Sequence, residues 1–223
     1  MSSRALSIAI VVSAALAIVG AGSDAPWSAL FYLGKPATTA LIFLLAWSSS
    51  SSPRLDARYR RAVLVGIALS LVGDVFLMWP NRGFVPGLIA FLLAHIGYIV
   101  AFASGTSARA RVAIGVVMVC IAATNLVGLL PRIGAELKVP VLAYVAVLTT
   151  MATFAIARAW TPALSRETPR SVRFAAVGGA AFVLSDSLLA WDKFGGAVPQ
   201  AQLLILSTYW FAQWCIARSV RAE

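Results

Sequence analysis

Ser70-Leu-Val-Gly-Asp-Val-Phe-Leu-Met-Trp79 decides how the chain is read. It lies inside a long apolar run and carries a bare carboxylate, Asp74, at its middle. A charged Asp near the centre of a membrane helix costs about 2.5–3.5 kcal/mol on insertion scales, so a chain that keeps one has a use for it. A second stretch of the same kind, Val183-Leu-Ser-Asp-Ser-Leu-Leu-Ala-Trp191, carries Asp186. The other apolar runs read as the scaffold that brings these two carboxylates together.

Composition agrees. Of 223 residues, 61% are hydrophobic and 12% charged, about half the charge of a soluble domain. The apolar runs are about 20 residues long, enough to cross a bilayer core of about 30 Å. The expected fold is an all-α polytopic membrane protein, a single integral membrane domain over residues 1–223. Eight spans are expected, near 5–22, 28–47, 61–79, 84–103, 110–130, 139–158, 172–191 and 200–218. The first has ingredients of a signal peptide in Arg4, an apolar core and Gly20-Ala-Gly-Ser23, but its core is long for one; it reads as a retained helix.

The net charge of +10 does not indicate nucleic acid. The arginines lie in short connections between apolar runs, with no continuous basic face and no interleaved aromatics. Thirteen of the 18 Lys and Arg residues fall on one side of the expected topology, including Arg54, Arg58, Arg60, Arg61, Arg158 and Arg221. By the positive-inside rule both termini are cytoplasmic, in a bacterial inner membrane. Cys120 and Cys215 sit in apolar runs without metal-ligand spacing and read as small buried residues. Ser48–Ser52 with Pro53 reads as a polar link.

The chain also repeats itself, as 1–110 and 111–223. At the Asp74-to-Asp186 offset Arg61 meets Arg173, Gly66 meets Gly178, Ala68 meets Ala180, Leu77 meets Leu189 and Trp79 meets Trp191. Pro86 and Pro199 are expected to open the next helix in each half. With four helices per half, both halves insert the same way round, and a site lies between them.

Each Asp follows an arginine, Arg61 or Arg173, by the same interval, which puts both at one depth, about 20 Å from the cytoplasmic side. If helices three and seven are neighbours the carboxylates approach. Two carboxyls in a low-dielectric site do not both ionise readily, so one remains protonated while its partner is charged. Acid/base chemistry needs that division; the plainer alternative is that each Asp only locks helix packing. Around them, His95 and Tyr98 face roughly one way, Asn125 and Tyr144 sit within helices five and six, and Tyr209, Trp210 and Trp214 form a belt or a cavity wall. Lys35, near the start of helix two, either snorkels to the outer interface or meets a headgroup phosphate. Asp192 and Lys193 read as a solvated pair. No His/Cys cluster, Gly-rich phosphate loop or Ser-His-Asp set is evident, and no cofactor is expected.

Taken together, Lys35-Pro36 with Thr38-Thr39, Gly73-Asp74-Val-Phe-Leu-Met78, Ala94-His95 with Tyr98, Tyr144 with Met151, and Ser185-Asp186-Ser-Leu-Leu-Ala190 with Lys193-Phe194 resemble the YhhN family of lysoplasmalogenases. The two Asp motifs are the specific part of that resemblance. It implies an eight-helix membrane enzyme that hydrolyses the vinyl ether bond of lysoplasmalogens to a fatty aldehyde and glycerophospho-ethanolamine or -choline, with Asp74 and Asp186 catalytic. The substrate, a lysophospholipid, would enter from the membrane and be bound by Lys35, His95, Tyr98, Asn125, Tyr144 and Tyr209. The sequence assigns neither acid nor base to either Asp. A proton-coupled small-molecule or lipid transporter using the same acids is the alternative.

Overall fold

A computed structural model of the chain describes residues 3–21, 26–49, 57–167 and 169–220. Within them the regular structure is helical: α1 (Ser3–Ala21), α2 (Ser28–Trp47), α3 (Ala57–Phe76), α4 (Pro80–Phe102), α5 (Ala108–Leu129), α6 (Ala135–Ala159), a short α7 (Pro162–Glu167), α8 (Pro169–Ala190) and α9 (Ala201–Arg218). A 3-10 turn, Leu130–Arg132, follows α5, and a π-helical turn, Trp191–Gly195, follows α8. Of the expected sequence features, Gly22, Ser23, Ser50–Ser52, Pro53, Arg54 and Arg221 lie outside the described residues.

The chain is an all-α integral membrane protein. Six helices, α1, α2, α4, α5, α6 and α8, are long and apolar enough to cross a membrane. Eight spans are expected, and among the described residues six helices meet that measure; α3 and α9 are long but more polar: α3 opens with Arg58, Arg60 and Arg61 and carries Asp74, and α9 holds Gln202, Gln213 and Arg218. Large apolar side chains point outward. Leu33, Val112 and Val127 are 72%, 68% and 80% exposed, which suits a lipid surround and would be costly in water.

Without a hydrophobic drive between helices in lipid, association rests on close packing at small residues. Gly66 of α3 lies directly under the Tyr98 ring of α4. Its counterpart Gly178 of α8 does the same for α9, where a Cβ would stand 2.8 Å from Ile216 Cγ1 and 3.0 Å from the Ala212 carbonyl. The packing order is also repeated. α1 lies on α2 as α5 lies on α6, α2 on α3 as α6 on α8, and α3 on α4 as α8 on α9. α2 also packs against α9, and α4 against α6. α3 and α8 are therefore not principal neighbours, and the carboxylates do not meet by direct packing of those two helices.

Three local expectations need correction. α3 ends at Phe76, Trp79 leaves the helical region at φ −121° and ψ 72°, and Pro80 takes the first position of α4. Proline is cheap there, where its missing N–H would be unpaired anyway, so Pro86 lies inside α4 rather than opening it. Lys35 sits two turns inside α2 and is buried beside Asp74 of α3, where the sequence suggests a side chain reaching the surface. Cys215 is buried as expected, but Cys120 is exposed on the outward face of α5.

Candidate functional site

Asp74, two residues before the end of α3, is 1% exposed. A buried carboxylate must find donors or lose its charge, and two helices, α2 and α9, supply them. Thr39 of α2 donates its hydroxyl to Asp74 Oδ2 at 2.6 Å, and Tyr209 of α9 donates to the same oxygen at 2.7 Å. Lys35, one turn before Thr39 on α2, brings Nζ to 3.9 Å from Oδ1. The shell continues outward. Gln213, one turn after Tyr209, donates Nε2 to the Tyr209 hydroxyl at 3.4 Å, and its Oε1 accepts from the Tyr98 hydroxyl at 2.7 Å. Trp210 Nε1 donates to Thr39 Oγ1 at 3.3 Å. Each donor is thus itself held in direction.

Asp186 has a sparser setting. Tyr144 of α6 donates to Asp186 Oδ2 at 2.6 Å. His95 of α4 places Nε2 2.9 Å from the Tyr144 hydroxyl and 3.5 Å from Asp186 Oδ2. Because the phenol's one hydrogen goes to Asp186, His95 must donate from Nε2 to the phenol oxygen, which fixes the neutral ring as the Nε2–H tautomer. His95 Nδ1, then a lone pair, is buried without a partner. The Asp186 side chain is 12% exposed, against 1% for Asp74.

The two settings mirror each other. Each carboxylate takes a hydroxyl from the helix packed before its own, Thr39 of α2 or Tyr144 of α6. Each also has a polar group nearby from a helix distant in sequence, Tyr209 of α9 at 2.7 Å or His95 of α4 at 3.5 Å.

Both acids open on one cavity of about 380 Å³. Lys35, Asn125, Tyr144 and Tyr209 line it too. His95 and Tyr98 do not: both are fully buried behind the wall, orienting Tyr144 and Gln213 respectively. Most of the lining is apolar, including Phe91, Met118, Ile121, Ala122 and Leu148. α5 and α8 both contribute to it, yet they are joined mainly at one end, where Trp191 Nε1 donates to Asn125 Oδ1 at 2.9 Å and the indole lies against Gly128. At that end the π-helical turn adds Asp192, Lys193 and Phe194 to the rim.

Gln213 is the functional candidate that sequence reasoning missed. Its signal was available: a glutamine in an apolar run four residues from a tyrosine shares its helix face. Thr39 was part of a noticed motif without being assigned a partner.

The family model described as YhhN family matches residues 30–220. The human protein named "Lysoplasmalogenase TMEM86B" is 33% identical over 163 residues, covering 72% of this chain and 64% of that protein. Human "Lysoplasmalogenase TMEM86A" is 35% identical over 159 residues, covering 70% and 64%. A Mycobacterium bovis protein named "Lysoplasmalogenase" is 32% identical over 199 residues, covering 80% of this chain and 71% of its own. The match thus spans just under two thirds of the human proteins' length. No solved structure matches the chain.

Proposed function

The chain belongs to the YhhN family, and from that premise we propose that it hydrolyses the vinyl ether bond of lysoplasmalogens, releasing a fatty aldehyde and a glycerophospho-ethanolamine or -choline. The observation that carries this reading is the pair of carboxyl groups on one largely apolar cavity, each held by a hydroxyl donor from a neighbouring helix. Relatives named lysoplasmalogenase support the substrate class.

A vinyl ether is cleaved once its carbon β to the ether oxygen takes a proton. The electron pair of the C=C bond forms the new C–H bond, and the positive charge spreads over the adjacent carbon and the oxygen. Water adds to that carbon and gives up a proton. The resulting hemiacetal breaks its C–O bond to glycerol as the hydroxyl proton leaves and the departing oxygen is protonated. One water is consumed, and the required parts are a carboxylic acid and a carboxylate, as in two-carboxylate glycosidases.

The environments divide these roles. Asp74 has two hydroxyl donors on one oxygen and an ammonium near the other, the setting of an ionised carboxylate. It serves the cation and the attacking water. Asp186 has a single phenol donor and more room on the cavity side, and it delivers the proton. The lipid chain would lie along Met118, Ile121 and Ala122 between α5 and α8, reached sideways from the bilayer. Both termini cytoplasmic and an origin by duplication complete the proposal. They are supported by the charge bias and by the repeated helix packing around Gly66 and Gly178.

The test is purified protein in lipid nanodiscs given a lysoplasmalogen, with the saturated alkyl-ether lysolipid as control. Aldehyde from the vinyl ether alone supports the proposal; no aldehyde across ethanolamine and choline headgroups overturns it. The buried Lys35–Asp74 pair also suits a proton-coupled carrier. Proteoliposome flux without aldehyde release would select that reading.

A further inference from the structure

Asp192 and Lys193 have no part in the chemistry above, and the sequence suggests only a solvated pair. Their placement is more specific. Both belong to the π-helical turn Trp191–Gly195 and both line the rim of the cavity that holds Asp74 and Asp186. π-Helical turns cluster at functional sites because they re-aim side chains that an α-helix would carry elsewhere.

The turn is held firmly. Asp192 Oδ1 accepts the Val198 N–H at 3.1 Å, closing the loop that returns through Gly196 at φ 122° and Gln200 at φ 54°. Trp191 is tied to Asn125 and stacks over Gly195. Phe84 meets Phe194 edge-on at 5.9 Å, and Lys193 Nζ lies 5.0 Å from the centre of the Phe84 ring. The ammonium is therefore positioned over an aromatic face at the mouth instead of trailing into solvent. Among the described residues the ion pairs are Lys35–Asp74 and His95–Asp186, so Asp192 and Lys193 do not neutralise each other. The rim presents one positive and one negative group, side by side in sequence and separate in space.

We propose that this turn is a subsite for a zwitterionic phosphodiester headgroup, with Lys193 binding the phosphate and Asp192 the terminal ammonium. The inference rests on the hydrolase reading for the direction in which the lipid lies. Lys193 lies seven residues, about two helical turns, beyond Asp186 and lines the same cavity. A vinyl ether at Asp186 would then leave its headgroup at the turn and its chain in the apolar branch. Lys35, committed to Asp74 in the interior, is not the headgroup cation.

The test measures binding, so it does not depend on turnover. Wild type, Lys193→Met and Asp192→Asn in nanodiscs are titrated with three uncleavable ligands: 1-alkyl lysophosphatidylethanolamine, 1-alkyl lysophosphatidic acid and 1-alkylglycerol. Met keeps the apolar stem over Phe84, and Asn keeps the acceptor for Val198, so each variant removes a charge and little else. Lys193→Met should weaken both phosphate ligands about tenfold relative to the alkylglycerol. Asp192→Asn should weaken the ethanolamine ligand relative to the lysophosphatidic acid. Free glycerophosphoethanolamine should compete with the lysolipid at the same site, which separates headgroup recognition from chain partitioning. Equal affinity ratios in all three proteins would overturn the subsite. Failure of the hydrolase reading shows up separately, as absence of aldehyde from the wild type.

Discussion

Tyr144→Phe is the most informative single perturbation outside the acids. It deletes one oxygen that joins two groups: the phenol donates to Asp186 Oδ2 at 2.6 Å and accepts from His95 Nε2 at 2.9 Å. The ring keeps its shape and its buried contacts with His95, so packing changes little. What is lost is a hydrogen bond to a charged or proton-sharing group, about 1.5–3 kcal/mol. At 1.4 kcal/mol per decade this corresponds to a fall of about 10- to 150-fold in kcat/KM, if Asp186 must be held by the phenol to act. His95 remains 3.5 Å from Asp186, too far for a strong substitute bond without movement. The assay is aldehyde release from a lysoplasmalogen in nanodiscs, with thermal unfolding measured alongside to verify folding. A folded Phe variant within twofold of wild-type kcat/KM would refute the role given to Tyr144 and the delivery of the proton from Asp186.

Further outcomes follow from the same geometry. Lys35→Met should lower the unfolding temperature and the activity together, because removing one partner of a buried pair costs about 3–5 kcal/mol. Combining it with Asp74→Asn should restore the temperature and not the activity, as read by the same two assays. Gly66→Ala drives a Cβ into the Tyr98 ring and should destabilise the protein by about 1–3 kcal/mol, measured by thermal or denaturant unfolding in detergent; Gly178→Ala should act similarly, against Ile216. Ala122→Trp fills the apolar branch beside α5 and should shift preference toward shorter chains, measured as relative kcat/KM across a chain-length series.

The architecture could be read from the sequence because lipid imposes a simple rule: long apolar runs must become helices with all backbone groups paired internally. The two acids could be read for the same reason, since an unpaired carboxylate in an apolar run has a known cost. The hydrogen-bonding partners of the acids could not. Thr39, Gln213 and the exact setting of His95 depend on which helices meet, and α3 and α8 turned out to be separated by their neighbours. His95 and Tyr98 read as cavity groups because polarity marks a residue as important without showing which side of the wall it occupies. Lys35 read as an interfacial residue because its partner is distant in sequence. Pro86 misled because Pro80 sits a few residues earlier at a better place for proline. The role of Asp192 and Lys193 stayed hidden because the residues of an α-helical end and a π-helical turn look alike.

The central claim is that Asp74 and Asp186 together perform the cleavage. Its most direct test compares wild type, Asp74→Asn and Asp186→Asn as folded proteins in nanodiscs, with a lysoplasmalogen in D2O and the aldehyde read by mass spectrometry. The account predicts aldehyde carrying one deuterium at the carbon next to the carbonyl from the wild type, and its near-complete loss in each Asn variant. Undiminished aldehyde from either folded variant would contradict the paired-carboxylate mechanism.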